Sequence, residues 1–547
     1  MPAQPASQTV VYRARKIVTM DPNKPEATHV AVRDGRILAV GGPDCAAPWG
    51  GGALDERFGD AVLLPGFVEG HGHMMTGAMW RYVYAGDQDR VDPDGNLHEG
   101  MPSVEAVVAR LKQAAAEIPE GEPIVAWGFD PIFLTTERLN CRHLDEVSKD
   151  RPVAVVHSNF HLLTVNSKAL EMAGYSRDTN VEGVARFSNG EPNGELQEMA
   201  AMFPILRRCK IDFRELSRRE PAVRAYAKSA MRCGVTTATD LAAMLEDEDV
   251  DGLLRITGSD DFCLRIVPTL VFREMAPADF VARAQALGKR SSDMLRLGSV
   301  KIVTDGSIQG FTARLKWPGH LGGQPNGIWN VPPAQLFEVI EALNAARVQM
   351  HIHTNGDEAS EVTLDALEAA LVKSPWPDHR HTLQHVQMAG EDQFARMAAL
   401  GVCANLFANH MWYFGDAHYE LSIGPDRARR MDACRSALNH GVTLAIHSDT
   451  PVTPMGPLTV AWCAVNRITP KGRVLGEAQR ITVAEALHAI TLGPAKTLKM
   501  DRDIGSIETG KKADFAVLAD DPLSVAPYEL RNIEVLGTVS GGRVFLA

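Results

Sequence analysis

The sequence predicts an α/β protein: a (β/α)8 TIM-like barrel, a small composite β-sandwich built from both termini, and an inserted subdomain after the first barrel strand. Three observations support this prediction. Apolar segments alternate with amphipathic ones along the middle of the chain, as expected for parallel strands joined by helices. Runs rich in β-branched residues and glycine lie at both ends. The interval 78–230 is too long for a single connection.

These patterns divide the chain into parts. We expect 1–61 and 500–547 to form the sandwich and 62–499 to form the barrel, with the insertion at about 78–230. Asp34-Gly35 lies between two short apolar runs and predicts a hairpin turn. The candidate barrel strands are 62–64, 234–241, 264–270, 299–306, 348–356, 381–387, 401–408 and 442–451.

Composition excludes several classes of protein. The chain has 547 residues, of which 45% are hydrophobic and 23% are charged, and its net charge of −12 offers no basic face for nucleic acid. Its eight cysteines show no Cys-x-x-Cys pair, so we expect them to be reduced. We find no apolar signal core or membrane-length apolar stretch, and we expect a cytoplasmic location.

The segment "VLLPGFVEGHGH" ends in two histidines, His71 and His73. Residues i and i+2 of a strand point to the same face. Both imidazoles would therefore project together from the end of the strand. Two converging neutral imidazoles form a fork suited to a metal ion.

Other polar residues lie near the ends of predicted strands, where a barrel places its catalytic groups. Imidazoles and an acid from several strand ends supply the ligands that a hydrolytic Zn²⁺ ion needs. The candidates are Lys301, Asp305, His351, His353, His385, His447 and Asp449.

Some of these residues have alternative interpretations. A charged ammonium at Lys301 is costly inside an apolar strand, so this lysine either pairs with Asp305 or is neutralised by CO₂ as a carbamate. His353 is favoured over His351 as a ligand because it lies closer to the strand end. Asp449 precedes Thr-Pro and could serve only the turn. His447 shares the face of Asp449 and is expected to support the ligands.

Candidates for substrate contact come from the insertion and the loops. His157 and His161 are expected mainly to stabilise the insertion, and His161 remains a candidate for contact with substrate. Aromatic residues could line an apolar pocket, although ordinary core packing explains each of them equally well. The foremost are Trp80, Phe129 and Trp412; Trp127, Phe133, Trp317, Tyr413 and Phe414 are further candidates.

Several segments resemble a known superfamily. "PGFVEGHGH", "VKIVTDGS", "HTNGDEA", "LQHVQ" and "HSDTP" occur in the order typical of the amidohydrolase superfamily, and "GSIETGKKADFAVLADDP" is similar to its composite β-domain. "VNSKALEMAG", "NGEPNGELQEMA" and "DGSIQGFTARL" resemble the YtcJ-like branch, which includes N-substituted formamide deformylases. The resemblance covers nearly the whole chain.

This resemblance implies a metal centre with one or two divalent ions, zinc being favoured. By it, His71 and His73 bind one metal, and Lys301, when carboxylated, bridges two. His353 and His385 bind the second, while Asp449 binds metal and is the general base that later delivers a proton to the leaving amine. The chain has "HTNGD" where the branch often has His-Ala-Ile-Gly-Asp, and "GFTAR" where it often has Ser-Arg-Thr-Ala. These departures lie beside the site, so they affect the expected identity of the substrate more than the expected chemistry.

The expected function is hydrolysis of an amide-type C–N bond, N-acyl or N-formyl, in a small apolar or aromatic molecule. A cyclic imide or lactone hydrolase and an amidine deaminase are alternatives, although Gly356 occupies the place of the glutamate usual in deaminases. A non-catalytic scaffold or regulator is disfavoured because every ligand position is filled. The expected partner is a small-molecule substrate, with neither nucleic acid nor membrane, and a homodimer is an open alternative.

Overall fold

The computed structural model describes residues 8–133, 138–158, 160–212, 216–273 and 275–547. Within these residues the larger sheets are an eight-stranded parallel sheet, a seven-stranded sheet from both ends of the chain and a six-stranded sheet from the insertion.

The eight-stranded sheet is curled, and its strands pair in chain order. Just beyond the two edge strands, Gly72 forms a parallel bridge with Thr450, and the Asp449 N–H donates to the His71 carbonyl at 3.0 Å. The sheet thus curls until its first and last strands meet, as the predicted barrel requires. Its strands are β1 (Phe67–Glu69), β2 (Val235–Ala243), β3 (Arg265–Val271), β4 (Val300–Val303), β5 (Met350–Thr354), β6 (Thr382–His385), β7 (Cys403–Leu406) and β8 (Leu444–Ile446).

Helices connect these strands, and several begin with a proline or an acidic first turn, both favourable at a helix N-terminus. In the part of the chain that is described, no helix combines the length and the apolar character needed to cross a membrane. The helices associated with the sheet are Met75–Met79, Glu220–Arg232, Asp247–Thr257, Pro277–Gly288, Pro333–Ala345, Asp357–Lys373, Glu391–Leu400, His410–Tyr413, Gly415–Ala417, Pro425–Ala428, Cys434–Asn439, Pro457–Asn466, Val483–Ala489 and Leu492–Thr497.

The prediction of residues 62–64 as the first barrel strand is wrong. They end the long strand Ala53–Pro65, which pairs with Phe515–Leu518 in the terminal sheet. Val62 and Leu64 pack into the barrel core, whereas Leu63 packs into the core of the terminal sheet. Alternate side chains therefore face two cores, which makes the run continuously apolar, like a buried barrel strand.

The terminal sheet combines strands from both ends of the chain, as expected. Asp34 and Gly35 have positive φ angles of 53° and 71° and form the predicted hairpin turn. The stacking of this unit as a sandwich stays a prediction. In spatial order the strands are Arg543–Leu546, Val535–Ser540, Phe515–Leu518, Ala53–Pro65, Val10–Val18, Glu26–Arg33 and Arg36–Gly41.

The six-stranded sheet lies between β1 and β2 in the chain and has its own apolar cores, one of which surrounds Trp127. Its strands, in spatial order, are Val184–Arg186, Pro192–Gln197, Leu162–Val165, Val153–His157, Ile124–Phe129 and Val83–Tyr84. A small ladder joins Arg90–Val91 to Leu97–His98. The helices of this region are Val104–Ala115, Cys141–Asp145, Ser167–Ala173 and Glu198–Arg208.

Candidate metal centre

The loops after β1 and β8 bring His71, His73 and Asp449 together. The Nε2 atom of His73 lies 3.2 Å from the Asp449 carboxylate, and that of His71 lies 3.4 Å from the same oxygen. One donor atom from each residue fits within a set whose members all lie within 4.8 Å of one another. Two imidazoles and one carboxylate at this spacing suit a single divalent ion.

Lys301 in β4 is next to this group. Its side chain is buried, and its Nζ atom lies 3.3 Å from the His71 Nε2 atom. Burial lowers the pKa of the Lys301 ammonium to about 7, although the charge of Asp449 opposes this. A large fraction of the amine is therefore neutral near neutral pH, as carbamate formation requires.

The carboxylate of Asp305 is hydrogen-bonded to backbone N–H groups. It accepts hydrogen bonds from the N–H groups of Asn355, Gly356 and Arg314 at 2.9–3.0 Å. Burial raises its pKa to about 7. This aspartate therefore fixes the loop after β5, and the described contacts do not include the alternative pairing of Lys301 with Asp305.

His385, at the end of β6, faces the same centre. Its Nδ1 atom lies 3.9 Å from the second Asp449 oxygen and is buried without a hydrogen-bond partner among the described residues. Both His385 and Asp449 have positive φ angles, 68° and 52°. Such backbone conformations are costly for residues other than glycine and cluster at functional sites.

His353 and His351 occupy different levels of β5. His353 borders the cavity, its ring centroid is 4.5 Å from that of His385, and its Nε2 atom lies 3.1 Å from the Gly306 carbonyl. His351 lies deeper, with its Nδ1 atom 3.0 Å from the Gln384 amide nitrogen. His353 is therefore the better placed of the two, and its binding of a metal stays a prediction.

His447, which was expected only to support the ligands, lies directly against them. Its ring stacks on His71 at 4.6 Å and on Phe407 at 5.0 Å. Both ring nitrogens are buried, and no described residue forms a hydrogen bond with either of them. His447, His71 and His385 form a second group of three close donor atoms. The structure thus adds His447 to the residues that could hold a metal ion.

Sequence reasoning missed two residues that support this centre. Gln384 accepts a hydrogen bond at its side-chain oxygen from His71 Nδ1 at 2.8 Å, which directs His71 Nε2 toward Asp449. Glu69 accepts bonds from the His71 N–H and from Ser448, and burial raises its pKa to about 7. Both lie beside predicted ligands in the sequence, a signal that could have identified them.

The electrostatics of the centre favour metal ligation. Burial lowers the pKa of His353 and of His447 to about 3, so these imidazoles are neutral and keep a lone pair at neutral pH. Burial tends to raise the pKa of Asp449, but its hydrogen bond and electrostatic interaction with His73 are the largest opposing effects, and the pKa falls below its usual value. Neutral imidazoles, an ionised carboxylate and unpartnered buried nitrogens fit a divalent ion.

A cavity of about 1110 Å³ opens onto the centre. His71, His73, Lys301, His353, His385 and Asp449 all border it, and the insertion covers part of it. His161 also borders it, with Nδ1 3.0 Å from both oxygens of Glu198, whereas His157 is buried and bonds to Thr164. The expectation that both histidines serve mainly the insertion therefore fits His157, but the structure places His161 at the cavity.

The aromatic residues expected to wall this cavity do not border it. Trp80 packs edge-on against Trp127, Phe129 packs on His157, and Trp412 packs on Trp462. The rings of these three residues pack in other clusters, so ordinary core packing explains them, whereas Trp317 is 94% exposed. The apolar wall is formed instead by methionine, leucine and phenylalanine side chains. They include Met74, Met202, Leu206, Leu253, Phe272 and Phe407.

Comparison with known proteins identifies the family of this chain. Residues 59–545 match the amidohydrolase family, and the chain belongs to it. It is 26% identical over 571 residues to the putative amidohydrolase YtcJ of Bacillus subtilis, covering 98% of each chain. It is 26% identical over 549 residues to N-substituted formamide deformylase of Arthrobacter pascens, covering 96% of each. The predicted superfamily and its YtcJ-like branch are confirmed.

A solved structure is also similar. An uncharacterized metal-dependent hydrolase from Pyrococcus horikoshii has a TM-score of 0.73 and 20% identity, with 95% of this chain and 99% of that chain covered. This similarity supports the α/β barrel fold.

Proposed function

We propose that the protein is a metal-dependent hydrolase that cleaves an amide-type C–N bond, N-acyl or N-formyl, in a small apolar or aromatic molecule. The observation that carries the proposal is the position of Asp449. Its carboxylate lies within hydrogen-bonding reach of His73 and close to His71, and Asp449 borders the cavity. The similarity to N-substituted formamide deformylase supports an N-substituted formamide as the first substrate to test.

His71, His73 and Asp449 would hold one divalent ion, with zinc favoured for this mixture of imidazole and carboxylate donors. A second ion would use His353, His385 and a carbamate on Lys301. Such ions supply Lewis acidity, which polarises a carbonyl oxygen and lowers the pKa of water.

The residues of the chain then have separate tasks. Asp449, whose pKa lies below its usual value, accepts the proton of the attacking water and later delivers it to the departing nitrogen. Gln384 keeps His71 in the tautomer that presents Nε2 to the centre. The apolar wall around Met202, Leu206 and Phe272 accommodates an apolar substituent and excludes water.

The test is hydrolysis by the zinc-loaded protein of N-benzylformamide, N-benzylacetamide and benzyl formate. We expect cleavage of at least one amide, and Asp449→Asn should lower kcat about 10²-fold or more while metal content and fold are kept. If no amide is cleaved by the loaded protein, or if Asp449→Asn keeps near-normal kcat, the proposal is wrong.

A further inference from the structure

A buried histidine–aspartate pair lies on the cavity wall, apart from the proposed ligands. His410 begins the short helix His410–Tyr413 after β7 and borders the cavity. Its Nδ1 atom lies 3.2 and 3.3 Å from the two carboxylate oxygens of Asp432. The side chains of His410 and Asp432 are 2% and 0% exposed. The sequence gives no motif that singles out either residue.

The segment that carries Asp432 is fixed by a buried arginine. The guanidinium of Arg467 donates to the carbonyls of Asp432 and Met431 at 2.9 and 2.8 Å, and the Asp432 N–H donates to the Gln387 carbonyl at 2.9 Å. A charged side chain with no exposure is retained only where such bonds compensate its desolvation. The orientation of His410 is therefore set before any substrate enters.

The pairing also sets which nitrogen of His410 can meet a substrate. A carboxylate only accepts hydrogen bonds, so Nδ1 carries the proton and donates to Asp432. In the neutral ring, Nε2 then has a lone pair. The described residues provide no hydrogen-bond partner for this Nε2 atom, although His410 borders the cavity. The nitrogen is an acceptor for a donor group of the substrate.

The pair lies close to the reacting end of the cavity. The ring of His410 is 4.1 Å from that of Phe407, which is 6.0 Å from the ring of His385. One side chain, Phe407, thus contacts both His410 and the proposed ligand His385.

We propose that His410, held by Asp432, accepts a hydrogen bond from the nitrogen of the scissile amide and stabilises the departing amine. This inference rests on the proposed function and adds a preference for amides over esters. Water adds its oxygen to the carbonyl carbon, Asp449 transfers the water proton to the nitrogen, and the C–N electron pair stays with that nitrogen. The nitrogen carries positive charge from the moment it is protonated until the C–N bond breaks, and the carboxylate behind His410 makes the acceptor stronger over that interval. His410 keeps its own proton throughout.

The test compares the zinc-loaded protein and four variants on N-benzylformamide and benzyl formate, which differ at the leaving atom. His410→Asn retains a donor for Asp432 but removes the acceptor at Nε2, whereas His410→Gln replaces it with an amide oxygen. Asp432→Asn removes the charge. His381→Asn is the matched control, because His381 is buried, bonds to Asn344 and does not border the cavity.

We expect His410→Asn to lower kcat/KM for the formamide about 10- to 100-fold more than for the formate, as for loss of a hydrogen bond to a charged group. His410→Gln should recover part of this loss, Asp432→Asn should show a smaller loss in the same direction, and His381→Asn should leave the ratio unchanged. Equal losses on both substrates in His410→Asn, or no loss, would overturn the inference.

Binding of benzylamine to the same zinc-loaded proteins, measured by titration calorimetry, separates this inference from the proposed function. Should the wild type cleave neither substrate, the proposed function fails while the amine-binding result still decides the role of His410. Weaker binding in His410→Asn but not in His381→Asn supports an amine acceptor. Equal binding in wild type and His410→Asn refutes it.

Discussion

At the scale of single residues, Gln384 shows how much the candidate centre depends on groups that cannot bind metal. Its amide contacts His71 Nδ1 at 2.8 Å and His351 Nδ1 at 3.0 Å, and its oxygen also accepts from Asn405 at 2.9 Å. One side chain thus orients two imidazoles. Partners of this kind typically affect metal affinity nearly as strongly as the ligands.

We expect Gln384→Leu to weaken zinc binding about 10- to 100-fold, because His71 loses the acceptor that fixes its tautomer. The measurement is competition for zinc with a chelator of known affinity. Gln349→Leu is the control: Gln349 is also buried, but bonds to the carbonyls of Arg380 and Thr497. Equal zinc affinity in Gln384→Leu and wild type would show that His71 needs no such support.

The burial of Lys301 gives a second prediction. Because its pKa is lowered to about 7, the neutral amine can react with CO₂ to give a carbamate and a proton. We expect reconstitution with zinc in CO₂-depleted buffer to load less metal per chain than reconstitution with bicarbonate, and Lys301→Met to abolish this difference. A fully loaded protein whose Lys301 remains unmodified in the presence of bicarbonate would contradict the bridging role.

Residues at strand ends were predictable, and residues fixed by loops were not. His71, His73, His385 and Asp449 follow from the rule that barrels place polar groups at the carboxyl ends of strands, whereas Lys301 lies inside β4 and was singled out as a charged residue in an apolar strand. The contact of His410 with Asp432 depends on the path of the chain after β7, which no local pattern specifies. The prediction that aromatic rings line the cavity failed for Trp80, Phe129 and Trp412. The sequence does not indicate which aromatic rings pack on one another and which face a cavity.

At the scale of elements, the insertion reaches the loop that carries Asp449. The guanidinium of Arg90 donates to the carbonyls of Pro451 and Val452 at 2.6 and 2.8 Å. Arg90 is buried, and its guanidinium lies 5.3 Å from the Trp127 ring. The Val452 N–H closes the turn by donating to the Asp449 carbonyl at 2.8 Å. The insertion therefore positions the proposed base.

We expect Arg90→Ala to increase hydrogen exchange in 448–455 and to lower kcat about tenfold, since a small displacement of the base is costly. Arg90→Lys should recover only part of the activity because an ammonium lacks the guanidinium fork. Arg151→Ala is the control, since Arg151 also bonds carbonyls, but within the insertion. Unchanged exchange in 448–455 of Arg90→Ala would exclude this coupling.

The prediction of elements failed where one strand serves two cores. The alternation of strands and helices identified β2 to β8, because each is a short apolar run between amphipathic segments. Residues 62–64 have the same appearance but belong to the terminal sheet, since Val62 and Leu63 face different cores. A continuous apolar run indicates that both faces of a strand are buried. It does not indicate which neighbouring elements cover each face.

At the scale of the whole molecule, buried carboxyl groups outside the centre make stability depend on pH. Burial raises the pKa of Asp130 to about 7 and that of Asp87 to about 6. In the native state these groups hold protons that the unfolded chain releases near pH 4. Stability should therefore decrease as the pH rises from about 4 to about 7.

Asp130→Asn should reduce this dependence, because an amide can still accept from the Ile132 N–H and bond to Ser158, and does not titrate. We expect the difference in Tm, variant minus wild type, to increase between pH 5 and pH 8 when both proteins are measured free of metal. Parallel Tm curves over this range would mean that Asp130 is not protonated in the native state.

Metal content per chain tests the central claim most directly. Wild type and the double variant His71→Ala/His73→Ala should be reconstituted with zinc, freed of excess metal and subjected to elemental analysis. We expect one or two zinc ions per wild-type chain, at least one fewer in the double variant, and a fold unchanged by circular dichroism, because these residues lie beyond the strand β1 and not in the barrel core. Only trace metal in the wild type, with hydrolysis unaffected by chelators, would contradict a metal centre at this site.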